Sequence, residues 1–144
     1  DGARLLRFLP SAADGDGIEV LWHEPTVSVH HWNAVPFGDR MITAVGSQGL
    51  VLAAVEIATG RILWRQRGFP KARLLKIGEE LLVLDETGAL TWGRPGADGL
   101  KILARAEVLT KPAWTIPALA DGILYLRDQR SLVALDLRAK RASR

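Results

Sequence analysis

The chain has 144 residues, 48% hydrophobic and 24% charged, a balance that supports a packed core and excludes a disordered chain. It has no cysteine, which removes disulfides, thiolate metal sites and cysteine nucleophiles and leaves the redox compartment open. Part of the net charge of +3 sits in the tail Arg138, Lys140, Arg141 and Arg144. The excess forms no dense stripe and is not interleaved with aromatics, so nucleic acid is not an expected partner. The longest apolar run, Gly49 to Val55, is strand-sized and far below the roughly 18–20 residues of a membrane span.

Asp1-Gly2-Ala3-Arg4 carries no signal peptide. The chain starts without Met, inside an apolar segment, and is read as a piece of a longer protein. Ala3 to Leu9 reads as a strand that Pro10 stops. Two Asp-Gly pairs between Ser11 and Gly17 turn the chain into Ile18-Glu19-Val20-Leu21-Trp22. Val27 to Trp32 alternates and is read as a strand, and Gly38-Asp39 turns into Met41 to Val45. Gly46 to Gly49 turns into Leu50 to Ile57, and Thr59-Gly60 returns the chain through Arg61 to Arg65.

The pattern then repeats. Ala72–Ile77, Leu81–Asp85, Ala89–Trp92 and Leu100–Arg105 are four strands separated by Gly78-Glu79-Glu80, Glu86-Thr87-Gly88 and a Gly/Pro loop from Gly93 to Gly99. A third copy runs from Lys111 through Trp114, turns at Asp121-Gly122 into Ile123 to Arg127, and turns again at Asp128 to Arg130 into Ser131 to Leu137. Trp22 and Trp64 stand 42 residues apart, Gly38 and Gly78 stand 40 apart, and Gly78 and Gly122 stand 44 apart. Glycine punctuation every eight to twelve residues leaves no room for a useful helix.

Four strands per unit at a period of about forty residues predict blades of a β-propeller, which cover their apolar faces only by stacking side by side. The expected class is all-β: a partial propeller of four-stranded antiparallel blades, about 3.5 of them, forming the C-terminal arc of a larger ring. The expected organisation is one propeller segment over 1–144. It comprises the end of a preceding blade at 1–24, blades at 25–67 and 68–109, an incomplete last blade at 110–137 and a basic tail at 138–144. Trp22 and Trp64 are expected to plug the joints between blades. Ala104 stands where the next tryptophan falls, so that joint is expected to be filled from elsewhere, with Trp92 as the candidate.

The stretch Ala54-Val55-Glu56-Ile57-Ala58-Thr59-Gly60-Arg61-Ile62-Leu63-Trp64 resembles the repeat of pyrroloquinoline-quinone-like propeller proteins, with an acidic strand, a Thr-Gly turn and a strand ending in Trp. Ala113 to Asp128, with Asp121-Gly122-Ile123-Leu124-Tyr125, and then Leu132 to Leu137 look like the last blade of bacterial members. The resemblance runs from about Ile18 to Leu137. Its motif residues are Trp22, Thr59, Gly60, Trp64, Gly88, Trp114, Asp121 and Gly122. Quinone-dependent dehydrogenases of this kind carry an adjacent-cysteine disulfide and a calcium site of Glu, Asn and Asp. This chain has no cysteine, and Asn33 is its only Asn. The resemblance therefore implies no cofactor in this segment, with quinone and calcium conceivable only in a full-length protein. It also implies a periplasmic or cell-surface parent.

His30-His31 is the candidate metal pair. Adjacent strand residues point to opposite faces, so the two do not meet one ion without a bulge, and no carboxylate or thiolate spacing completes a set with His23. Asp85-Glu86 and Glu79-Glu80 are read as solvated turn carboxylates rather than an acid/base pair. Asp39, Asp121 and Asp128 are read as turn caps, and Ser47 lacks the elbow of a nucleophile. No residue is assigned to catalysis. The expected function is a non-catalytic interaction scaffold whose partners are protein or polysaccharide, further blades, or a second copy. The rival is part of an oxidoreductase with its ligands in other blades.

Overall fold

The computed structural model describes residues 2–9, 17–29, 32–46 and 49–138. They form thirteen strands in four antiparallel sheets, and no helix occurs among the described residues. The first sheet pairs β1 (Ala3–Phe8) with β2 (Ile18–Glu24). The second runs β3 (Ala34–Phe37), β4 (Arg40–Val45), β5 (Val51–Glu56), β6 (Ile62–Arg67). The third runs β7 (Arg73–Ile77), β8 (Glu80–Leu84), β9 (Ala89–Pro95), β10 (Leu100–Glu107). The fourth holds β11 (Ala118–Ala120), β12 (Ile123–Arg127) and β13 (Leu132–Asp136). Sequence neighbours are spatial neighbours throughout, as short turns require.

The middle strands are buried on both faces, which is why they read as continuous apolar runs rather than clean alternations. Ile42 and Ala44 of β4 enter the core shared with the third sheet, while Met41 and Val45 enter the core that Ala3 of β1 joins. On β8, Leu81 and Val83 face the second sheet, and Leu82 and Leu84 face the fourth. Period-two alternation thus makes one strand serve two joints.

Of the strand expected at Val27–Trp32, the described residues 27–29 and 32 lie in no strand, and His30 and His31 lie outside the described residues. The innermost strand of that sheet is Ala34–Phe37, and the preceding segment is a connector. Val27 is fully buried beneath the sheet end, and the Ser28 carbonyl accepts from the Gly46 amide at 3.0 Å. Pro36 is tolerated in β3 because that strand is an edge.

Three outer hairpins share one irregularity. Their registers slip so that Leu21, Leu63 and Leu103 are left without a cross-strand partner. Each bulge turns the next residue toward the following sheet: Trp22 opposite Leu5, Trp64 opposite Ala54, and Ala104 opposite Trp92. The large and small members of the pair are exchanged in the third sheet. Trp92 packs into the joint with the fourth sheet, where Ala104 contributes little.

Candidate functional site

Two of the joints are closed by indoles. The Trp22 Nε1–H donates to the Ile57 carbonyl at 2.9 Å, and its ring lies on Gly60. A Cβ at Gly60 would stand 2.7 Å from that ring, and its φ of +78° already favours glycine. The Trp64 Nε1–H donates to the Gly96 carbonyl at 3.2 Å. Thr59 donates to Glu56 and accepts from the Arg61 amide, closing the turn that presents Gly60. Gly88 has φ +95° and passes so close to Leu109 that a Cβ would meet its carbonyl oxygen at 2.2 Å. The Gly88 carbonyl accepts from Val108 and Leu109. Asp121 and Gly122 form the β11–β12 turn at φ +50° and +78°, and the Gly122 carbonyl accepts from Leu137.

A second set of contacts binds neighbouring inner strands. Asn33, just before β3, donates from Nδ2 to the Leu74 carbonyl at 2.7 Å and accepts from the Leu74 amide at 3.0 Å. Arg73 stands at the matching place, five residues before its turn glycine. It is 3% exposed, donates to the Trp114 carbonyl at 2.9 Å and the Lys71 carbonyl at 2.8 Å, and lies 5.1 Å from the Trp32 ring centre. Burial pushes its guanidinium below the ordinary arginine value, and the charge of Glu86 opposes that.

Around Arg73 the turn after β8 and the connector into β11 converge. Glu86 is buried, accepts from Lys71 Nζ at 2.9 Å and Trp114 Nε1 at 3.3 Å, and pairs with Lys111 Nζ at 3.5 Å. Burial alone raises its carboxyl. The Lys71 and Trp114 hydrogen bonds and the two lysine charges outweigh that and hold it below the usual range. Lys71 also lies 5.7 Å from the Trp114 ring centre. The indole, held from inside, is 49% exposed, and Ile116 beside it is as open. The arrangement is a fixed aromatic and cationic platform on the loop end of the third and fourth sheets.

Asp85 and Glu86, expected in solvent, are both buried. Asp85 accepts from the Thr87 amide and hydroxyl and the Ala89 amide, and it pairs with Arg105 at 3.2 Å. Those donors replace water, which is what permits a carboxylate to sit there. Asp128 does the same in the last sheet, accepting from the amides of Thr110, Arg130 and Ser131 and from the Thr110 hydroxyl. Those bonds depress its carboxyl far below the ordinary range, against a smaller opposing effect of burial. Asp39 instead holds its neighbour Arg40 at 3.1 Å. Of the other turn pair, Glu79 is exposed, and Glu80 accepts from the Trp92 indole and pairs with Arg94 at 2.6 Å.

His30, His31 and Ser47 lie outside the described residues. Among the described residues no group of three or more His, Cys, Asp or Glu converges as a metal site would require. His23 is exposed on β2, across from Arg4. Sequence reasoning passed over Arg73, placed Glu86 in solvent and gave Asn33 no role. The fixed offset of Asn33 and Arg73 from Gly38 and Gly78 was the available signal.

No known family profile matches this chain, and no curated protein matches it. Among solved structures, the chain is similar to BamB from Moraxella catarrhalis, with a TM-score of 0.63 at 20% identity, over 82% of this chain and 37% of that one. The fold is a partial β-propeller. The chain thus matches little more than a third of that relative's length, and the four sheets are consecutive blade positions: two outer strands, two full blades, and a blade of three strands.

Proposed function

We propose that this propeller arc is a non-catalytic interaction scaffold of the pyrroloquinoline-quinone-like repeat type, belonging to a larger exported protein at the periplasmic side or cell surface. Its partner is a protein, engaged through the loop end of the last two blades. The observation that carries this reading is the Trp114 platform. A half-exposed indole is fixed by a buried carboxylate, flanked by Lys71 and Lys111 and extended by Ile116. Rigid aromatic anchors with a polar rim are the recurrent core of protein interfaces, because a pre-ordered indole loses little entropy on docking. The likeness to BamB supports the architecture, and the Ala54–Trp64 repeat supports the repeat type.

Selection of displayed peptides on the 144-residue chain tests this, with Trp114→Ala and Lys111→Glu as comparison baits. The reading expects enriched peptides that lose at least tenfold in affinity on Trp114→Ala. Enrichment indifferent to Trp114 counts against it, as does a quinone absorbance band with alcohol oxidation after loading with pyrroloquinoline quinone and calcium.

A further inference from the structure

The two four-stranded blades leave an open pocket of about 280 Å³ between their turns. It lies at the end of the sheets opposite to Trp114. Successive antiparallel strands put the β3–β4, β7–β8 and β9–β10 turns at one end, and the turn that carries Glu86 at the other. Asp39 and Arg40 come to the pocket from the first of these turns and Glu79 from the second. Arg94 and Pro95 come from the third, and Phe37 lines the wall beside them. All belong to the second and third sheets, so both walls of the pocket lie within complete blades.

Its donors are held in place by the fold. Arg40 donates from Nε to Asp39 at 3.1 Å and from Nη1 to the Gly96 carbonyl at 3.4 Å, the carbonyl that also holds the Trp64 indole. Arg94 donates to Glu80 at 2.6 Å, and Glu80 is itself fixed by the Trp92 indole. A guanidinium carries more N–H groups than these bonds use, so both have donors left over. The second Asp39 oxygen and the whole Glu79 carboxylate are acceptors with no partner among the described residues. Charge cancels around them. Arg40, Arg94 and Lys76, which lies 4.5 Å from the Phe37 ring centre, stand against Asp39, Glu79 and Glu80.

An anion placed here meets the free carboxylate of Glu79, and a cation meets two guanidiniums. A zwitterion fares no better, because its carboxylate finds both guanidiniums already paired with Asp39 and Glu80. A hydroxyl donates and accepts at once, so a neutral ligand dense in hydroxyls uses the free donors and the free acceptors together. Phe37 and Pro95 give the apolar wall that the C–H face of a sugar ring needs. The volume stands at the small end of ligand pockets, which suits a ring-sized group. We propose that this pocket binds a neutral saccharide unit, at the opposite end of the blades from the protein partner assigned to Trp114.

A nuclear magnetic resonance titration of the 144-residue chain tests the proposal. The probes are glucose, galactose, mannose, N-acetylglucosamine and their disaccharides, with glycine and inorganic phosphate as charged comparisons. At least one saccharide is expected to give saturable shifts, at millimolar affinity, in the amides of Gly38, Asp39, Arg40, Glu79 and Arg94, while the Trp114 indole signal stays still. Glu79→Ala and Arg94→Ala, both at exposed positions, are each expected to weaken that binding at least tenfold. Glu79→Ala breaks no hydrogen bond or ion pair among the described residues, so it decides the matter if Arg94→Ala disturbs Glu80. Absence of saturable shifts with every sugar overturns the proposal. So does tighter binding of glycine or phosphate than of any sugar, a set of shifts gathered at Trp114, or sugar binding that survives Glu79→Ala undiminished.

Discussion

A buried indole between two blades works as both wedge and latch. Trp64 is 7% exposed and donates across the joint, so Trp64→Ala is expected to cost about 3–5 kcal/mol. Trp114→Ala, at a half-open position, is expected to cost about 1 kcal/mol or less; urea unfolding of the two variants separates them. Gly60→Ala adds a methyl against the Trp22 ring in a left-handed backbone, and a loss of more than about 1 kcal/mol is expected. Asp128 sets a pH dependence. Its folded carboxyl titrates far below the unfolded value of about 3.9, so its contribution is fully present above that value and is lost as pH falls toward the folded one. The urea midpoint is therefore expected to fall between pH 5 and pH 2 more steeply in the native chain than in Asp128→Asn. Equal slopes would remove Asp128 from the account.

Among the elements, the hairpins were the most legible part of the sequence. Short apolar runs between Gly-containing turns announce themselves at Gly38, Gly60 and Gly78, and the forty-residue spacing ties them into blades. The strand expected from Val27 was misread because the alternation of Val27 and Val29 comes from packing in a non-strand segment, and period two cannot distinguish the two. Asp85 and Glu86 were misread because turn carboxylates are usually wet; only the fold brings Arg105, Lys71 and Trp114 to them. Asn33 was noted only as the chain's single Asn and not as a clip, since its partner Leu74 lies 41 residues away. Asn33→Ala leaves both backbone groups of Leu74 without that partner and is expected to cost about 1–3 kcal/mol. The exchange of Trp92 for Ala104 gives a sharper test at this scale. An open pocket of about 130 Å³ lined by Leu82, Leu90, Trp92 and Ala104 lies on that face of the third sheet. Trp92→Ala is expected to destabilise the chain, and adding Ala104→Trp to recover part of the loss, by restoring the order seen at Ala54 and Trp64. Two losses that simply add would show that the two joints are built differently.

For the molecule as a whole, consecutive blades lean on one another and none is covered alone, so stability is expected to be shared along the arc and weakest at its ends. Hydrogen exchange is expected to be slowest at β4, β5 and β8, whose residues are buried from both sides, and fastest at β1 and β13. Everything rests on the sheets being stacked side by side through indole joints. Nuclear Overhauser contacts in the 144-residue chain measure this most directly. The account predicts cross-peaks from the Trp22 ring to the Gly60 α-protons and from the Asn33 side-chain amide to Leu74. Their absence, with Trp22 in contact only with residues of its own hairpin, would contradict it.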